Sequence, residues 1–122
     1  VREKGENYTC IIDGQPICMF GVNPIMNSMI GRIWLLGSYE IENRRRKFVR
    51  WSQSVVNYYQ EQYYQLENVV PADHTDTIEW LEFLGFELVT PAIKLNSFKV
   101  FRFVRCKGDE ILINKEEQPI QC

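Results

Sequence analysis

The sequence predicts one α/β (α+β) domain: a mixed, mostly antiparallel sheet covered by one long and one short helix. Three observations carry that reading. Two apolar runs meet at Asp13-Gly14, the hydrophobic period lengthens between Glu42 and Tyr64, and a short helical phrase halts at Gly85 before the chain alternates again. A chain of 122 residues holds one core and not two, so residues 1–122 are read as a single domain.

Each element follows from local chemistry. "YTCIIDGQPICMFGV" places strands at about 8–12 and 16–22 around Asp13-Gly14, the dipeptide that tight hairpins favour. "NPIMNSMI" reads as a loop, because Pro24 cannot donate within a strand interior. "GRIWLLGS" is a third strand, and its unbroken apolar run from Ile33 to Leu36 predicts a central place in the sheet. From Glu42 to about Tyr64 the residues Phe48, Trp51, Val55, Tyr59 and Tyr63 recur at helical spacing, as the core face of a long helix. "LENVV" is a short strand ended by Pro71. Asp76 with Glu79 reads as an N-cap and its capping-box partner, Ile78, Leu81 and Leu84 as the buried side, and Gly85 as the stop. "FELVT" and "FKVFRFVRC" are strands separated by loops at Pro91 and Asn96-Ser97, and Lys107-Gly108-Asp109 turns into a last strand, "EILIN".

Composition removes several function classes. The hydrophobic and charged fractions, 45% and 25%, are those of a globular domain, and no run of about 18 apolar residues predicts a membrane span. "VREKGENYTC" lacks the pattern of a secretory leader. The four cysteines do not have zinc-site spacing; buried free thiols are expected, with Cys10 and Cys18 facing each other across the hairpin. Net charge is −2 but uneven: Arg44, Arg45, Arg46, Lys47 and Arg50 crowd together, and no Lys or Arg follows from Trp51 to Ile93. Such a dipole suits protein contacts or an anionic ligand at one pole, not general nucleic-acid binding.

The element order, with the phrase "HTDTIEWLEFLGFEL", resembles the GNAT superfamily of acyl-CoA-dependent N-acyltransferases; Ile78, Leu84, Gly85 and Phe86 match the family's Ala-Ile … Leu-Gly-Phe helix. The ordered set "DGQPICMFGV … GRIWLLGS … KFVR … EWLEFLGF" is similar to the short internal virion proteins of T-odd-type podoviruses and related GNAT-like phage proteins. The resemblance covers roughly residues 8 to 106.

Three departures qualify what it implies. The family's glycine-rich turn, whose backbone N–H groups hold the coenzyme diphosphate, corresponds here to "GSYEIENRRRKF", with Glu40 and Glu42 in the turn and the arginines further into the helix. The Tyr that protonates the departing thiolate corresponds to Leu81, leaving His74, Ser38 and Glu40 as the weak candidates for a catalytic role. Ahead of the hairpin stand only about eight residues, where the family has a strand and one or two helices of the acceptor groove.

The resemblance and its departures together imply a noncatalytic GNAT-like phage protein, a virion or assembly component in the phage particle or host cytoplasm, without cofactor. Its partners would be phage or host proteins or further copies of itself, met through Arg45, Arg46, Arg50, Tyr58 and Tyr64. The alternative is a divergent acetyl-CoA-dependent acyltransferase. Leu36, Gly37 and Ser38 would then hold the acyl carbonyl, and Arg44, Arg45 and Arg46 the phosphates. A small phage regulator of a host protein is a third reading.

Overall fold

The computed structural model describes residues 5–25 and 29–108; the expected strand "EILIN" lies outside them. Among the described residues six strands and three helices follow one another as β1 (Glu6–Ile12), β2 (Gln15–Ile25), β3 (Ile30–Gly37), α1 (Glu40–Asn43), α2 (Arg45–Gln62), β4 (Gln65–Pro71), α3 (Thr75–Phe83), β5 (Glu87–Leu95) and β6 (Phe98–Cys106). They form one sheet in the order β1-β2-β3-β4-β6-β5, antiparallel except between β3 and β4. This is the mixed α/β architecture the sequence predicts, with β3 in the interior of the sheet.

The predicted turns are met by their geometry. Asp13 and Gly14 both have positive φ, +54° and +78°, as a two-residue hairpin with the twist of its strands requires. At the end of α3, Phe86 N–H bonds the Leu81 carbonyl and Gly85 N–H bonds that of Glu82, while Gly85 sits at φ +96°. That pairing satisfies carbonyls the helix leaves open and fixes the stop at glycine.

Four expectations change. β2 runs through Pro24 to Ile25, because the β1 ladder ends at the Glu6–Val22 pair and leaves that side of Pro24 without a donor to supply. β5 runs through Pro91 to Leu95, as an edge strand with a register shift between Val89 and Ile93. The single long helix is two, broken at Arg44, whose φ and ψ of −128° and 36° are not helical. α3 begins at Thr75 after His74, without a side-chain cap, so the Asp76–Glu79 capping box is not formed.

Helices α2 and α3 share one face of the sheet. Val56 and Tyr59 of α2, Leu81 and Leu84 at α3, and Val22, Leu66, Val70 and Phe103 of the strands make the main core. Phe48 stacks on Trp80, whose indole N–H bonds Ser52 Oγ at 3.2 Å, so the two helices are joined directly. A second cluster, Cys10, Ile17, Cys18 and Phe48, seats the start of α2 on the β1–β2 hairpin. Cys10 and Cys18 are free, buried and opposite each other, as expected. Cys106 departs from that expectation: it is disulfide-bonded.

Candidate functional site: the gap between β3 and β4

The parallel pair is short. Among the described residues only Ile30–Gln65, Gly31–Leu66 and Arg32–Glu67 face each other, and beyond Arg32 the strands part. A buried polar cluster marks the vertex: Glu67 accepts from Arg102 at 2.6 Å and from Gln65 at 3.0 Å, with Arg32 at 3.7 Å. These bonds tie β3, β4 and β6 together at the place where the ladder stops. Just past it, the Asn68 side-chain amide donates across the gap to the Ile33 carbonyl.

Backbone direction in β3 is fixed from both sides. Ile33 points its carbonyl at β4, whereas Ser38 donates its N–H to Ile17 of β2 at 3.0 Å. Strand residues alternate, so Leu35 and Gly37 turn their N–H and C=O groups into the gap, while Trp34, Leu36 and Ser38 turn theirs toward β2. Of Leu36, Gly37 and Ser38, Gly37 alone turns its backbone groups into the gap, as Leu35 does.

The parted strands open a cleft of about 500 Å³ lined by Phe20, Ile33, Leu35, Trp51, Val55 and Val69, among others. The apolar run of β3 predicts burial on both faces; instead Leu35 is partly exposed, because β4 has turned away from it. Trp51 and Val55 are partly buried against the core and also line the cleft, while the fully buried residues of α2 are Phe48, Ser52, Val56, Tyr59 and Gln60.

Both helices begin at the mouth, since β3 and β4 are parallel and each leads into a helix. Glu42, Arg45, His74 and Asp76 line the cleft there. The break at Arg44 separates an acidic turn from a basic one. α1 carries Glu40 and Glu42, and α2 starts afresh with Arg45, Arg46 and Lys47 in its first turn, with no acid and no side-chain cap. The arginines are thus not deep in a helix, as the sequence suggests, but at the positive end of one. Arg45, Arg46 and Arg50 share a surface groove with Gln53 and Phe83. Arg44 is withdrawn from this set by ion pairs to Glu40 and, at 3.7 Å, to Asp13.

The remaining predicted residues disperse. Ser38 Oγ donates to the Ile17 carbonyl at 2.8 Å and accepts from Glu40 N–H at 3.2 Å, so it organises the strand exit. His74 stands exposed at the mouth, 4.0 Å from Asp73. Leu81 is buried in the core, with no proton to offer. Tyr58 is exposed on α2 outside the arginine groove, and Tyr64 lies beyond the helix, its N–H on the Met29 carbonyl at 3.0 Å. Asn68 and Leu35 at the gap have no sequence signal: an Asn inside "LENVV" and a Leu inside an apolar run carry no local mark of a parted sheet.

No family model matches the chain, and no curated protein matches its sequence. Solved structures do match its shape. RimL, a ribosomal L7/L12 alpha-N-protein acetyltransferase in complex with coenzyme A, superposes with a TM-score of 0.71 at 11% identity, over 84% of this chain and 62% of that one. The F149A mutant of spermidine N-acetyltransferase SpeG from Vibrio cholerae gives 0.70 at 9% identity, over 85% and 66%. A GNAT-family acetyltransferase from Streptococcus pneumoniae gives 0.63 at 10%, over 88% and 69%. The chain thus spans about two thirds of the length of these enzymes, and what it shares with them is the architecture: it has the GNAT acetyltransferase fold.

Proposed function

We propose that this chain binds an acyl-coenzyme A and is a divergent N-acyltransferase. The observation that carries the reading is the parted β3–β4 pair with the uncapped basic start of α2 at its mouth. The two parts suit the two halves of the coenzyme. The apolar cleft takes an extended, amide-bearing arm, and the unpaired N–H and C=O groups of Leu35 and Gly37 bond it as a strand would. Phosphates fit at Arg45 and Arg46, where first-turn N–H groups and guanidinium charges coincide. This takes the place of a glycine turn, and Glu42, 3.7 Å from Arg45, is the carboxylate an anion would have to displace.

The coenzyme supplies an activated thioester. The residues here orient it: gap-facing backbone of β3 fixes the arm, and the walls at Trp51, Val55 and Val69 exclude water. With Leu81 in place of an acid, rate enhancement rests on positioning an amine against the acyl carbon, which supplies a large share of such catalysis by itself. His74, at the rim, is the one described imidazole available to take the proton of the attacking amine.

The second reading is the noncatalytic one: a virion or assembly component that keeps the fold for its surface. The acidic single turn α1 favours it, since Glu40 and Glu42 sit beside the phosphate position. Calorimetric titration with acetyl-CoA tests both. Micromolar binding supports the coenzyme reading; no heat at millimolar coenzyme overturns it and leaves the contact role.

A further inference from the structure

We propose that Cys10 and Cys18 are a redox pair, closed to a cross-strand disulfide by a small anionic disulfide of the glutathione class that reaches Cys10 along the groove beside Lys47. The geometry is already set. The two residues are direct partners in the β1–β2 ladder and are buried side by side in one cluster. Opposed residues in antiparallel strands lie about 4.5–5.5 Å apart at Cα, within the roughly 4.4–6.8 Å that a disulfide spans. At that separation closure asks chiefly for rotation of two side chains, next to the ladder irregularity between Cys10 and Ile11.

Access is unequal, and that orders the steps. Cys10 lines a surface groove with Tyr8, Ile12, Phe20, Lys47 and Trp51, which Cys18 does not reach. Lys47 lines the groove and pairs with Asp13 at 3.5 Å, so a carboxylate of a glutathione-type molecule would meet this cation in competition with Asp13. Burial raises both thiols, Cys18 to about 12, while at Cys10 the neighbouring Cys18 thiol offsets part of the rise. Cys10 is thus the attacking sulfur. Its thiolate displaces one thiolate from the incoming disulfide and leaves a mixed disulfide on Cys10. Cys18, losing its proton, then attacks the Cys10 sulfur and expels the second thiol. Two protein thiols and one external disulfide become one protein disulfide and two external thiols, so electrons and protons balance.

The pair sits below the start of α2. Cys10 and Cys18 pack with Ile17 and Phe48, and the Ile17 carbonyl is the acceptor that holds Ser38. Oxidation would lock the hairpin on which the break at Arg44 rests.

The test is incubation of the intact protein in glutathione buffers of stepped redox ratio, followed by acid quench, alkylation and peptide mapping. The expected product is the peptide bearing both residues, lighter by two hydrogen atoms and restored by dithiothreitol. Cys18→Ser should instead trap glutathione on Cys10, and Cys10→Ser should leave Cys18 unmodified. A wild-type protein that holds glutathione stably on Cys10, that reacts first at Cys18, or that stays reduced where a reference dithiol is oxidised overturns the proposal. The wild-type mapping decides even where a serine variant fails to fold.

Discussion

Arg45 and Arg46 occupy positions that a helix designed only for stability would not give to cations. Each sits in the first turn of α2, at the positive end of the helix, with no acidic residue in that turn. A like charge there costs about 0.3–1 kcal/mol. Arg45 recovers a few tenths from Glu42 at 3.7 Å, a pair whose side chains are 65% and 78% exposed and therefore well screened. Replacing both residues, Arg45→Ala with Arg46→Ala, should thus stabilise the folded chain by about 0.5–1.5 kcal/mol, or roughly 2–6 °C in Tm for a domain of this size. Binding should move the other way. Two solvent-flanked charge-assisted bonds to phosphate, at about 1–1.5 kcal/mol each, amount to a Kd for acetyl-CoA raised roughly 30- to 150-fold. Thermal unfolding followed by circular dichroism, with calorimetric titration on the same samples, reads both. A variant that is more stable and binds more weakly identifies cations kept for a ligand. One that loses stability, or binds acetyl-CoA unchanged, refutes the reasoning, because the arginines would then be paying structural dues or none.

Two other perturbations address the frame. A methyl group on Gly31, at the vertex of the gap, would lie 2.8 Å from Val22 Cγ2 and 2.9 Å from the Tyr63 ring, so Gly31→Ala should destabilise by about 1–3 kcal/mol in urea unfolding. A change under half a kilocalorie would show that the vertex yields. Burial lifts the Cys18 thiol from 9.0 to about 12, so between those values the unfolded chain has lost a proton that the folded chain keeps. Stability should therefore be unaffected by this group below about pH 9 and fall as pH rises through that window, with the fall reduced in Cys18→Ala.

What the sequence showed depended on how local its cause was. The hairpin at Asp13-Gly14 and the stop at Gly85 are set by φ angles that few residues adopt, and both were legible. The break at Arg44 was not, because no glycine or proline marks it and the apolar spacing runs on from Ile41 through Phe48. The prolines misled in the opposite sense: whether Pro24 or Pro91 can stay in a strand depends on where a neighbouring ladder ends, which is a property of the sheet. The stripe on α2 was legible at Phe48, Tyr59 and Tyr63, which are buried as its spacing predicts. Trp51 and Val55 are only partly buried against the core clusters, and Ser52 and Val56 beside them are buried without having stood out in the sequence.

The parting of β3 and β4 has a cost that must be met without any ligand. Leu35 and Val69 lose the cover that a closed sheet would give them, and the gap-facing groups of Ile33, Leu35 and Gly37 lose ladder partners. Asn68 offsets part of this in two ways. Its amide supplies the Ile33 carbonyl with the donor that a β4 backbone N–H would have provided, and its own oxygen accepts from Val69 N–H at 2.8 Å, drawing that group out of the ladder. The Glu67, Arg102 and Gln65 bonds immediately below hold the strands together where they do meet. One side chain thus ends the parallel ladder and a polar cluster secures the point where it ends, so the cleft is preformed rather than opened by what it binds. A preformed cleft lowers the ordering cost of binding, and under the proposed acyltransferase reading it is also what would let positioning carry chemistry without an acid.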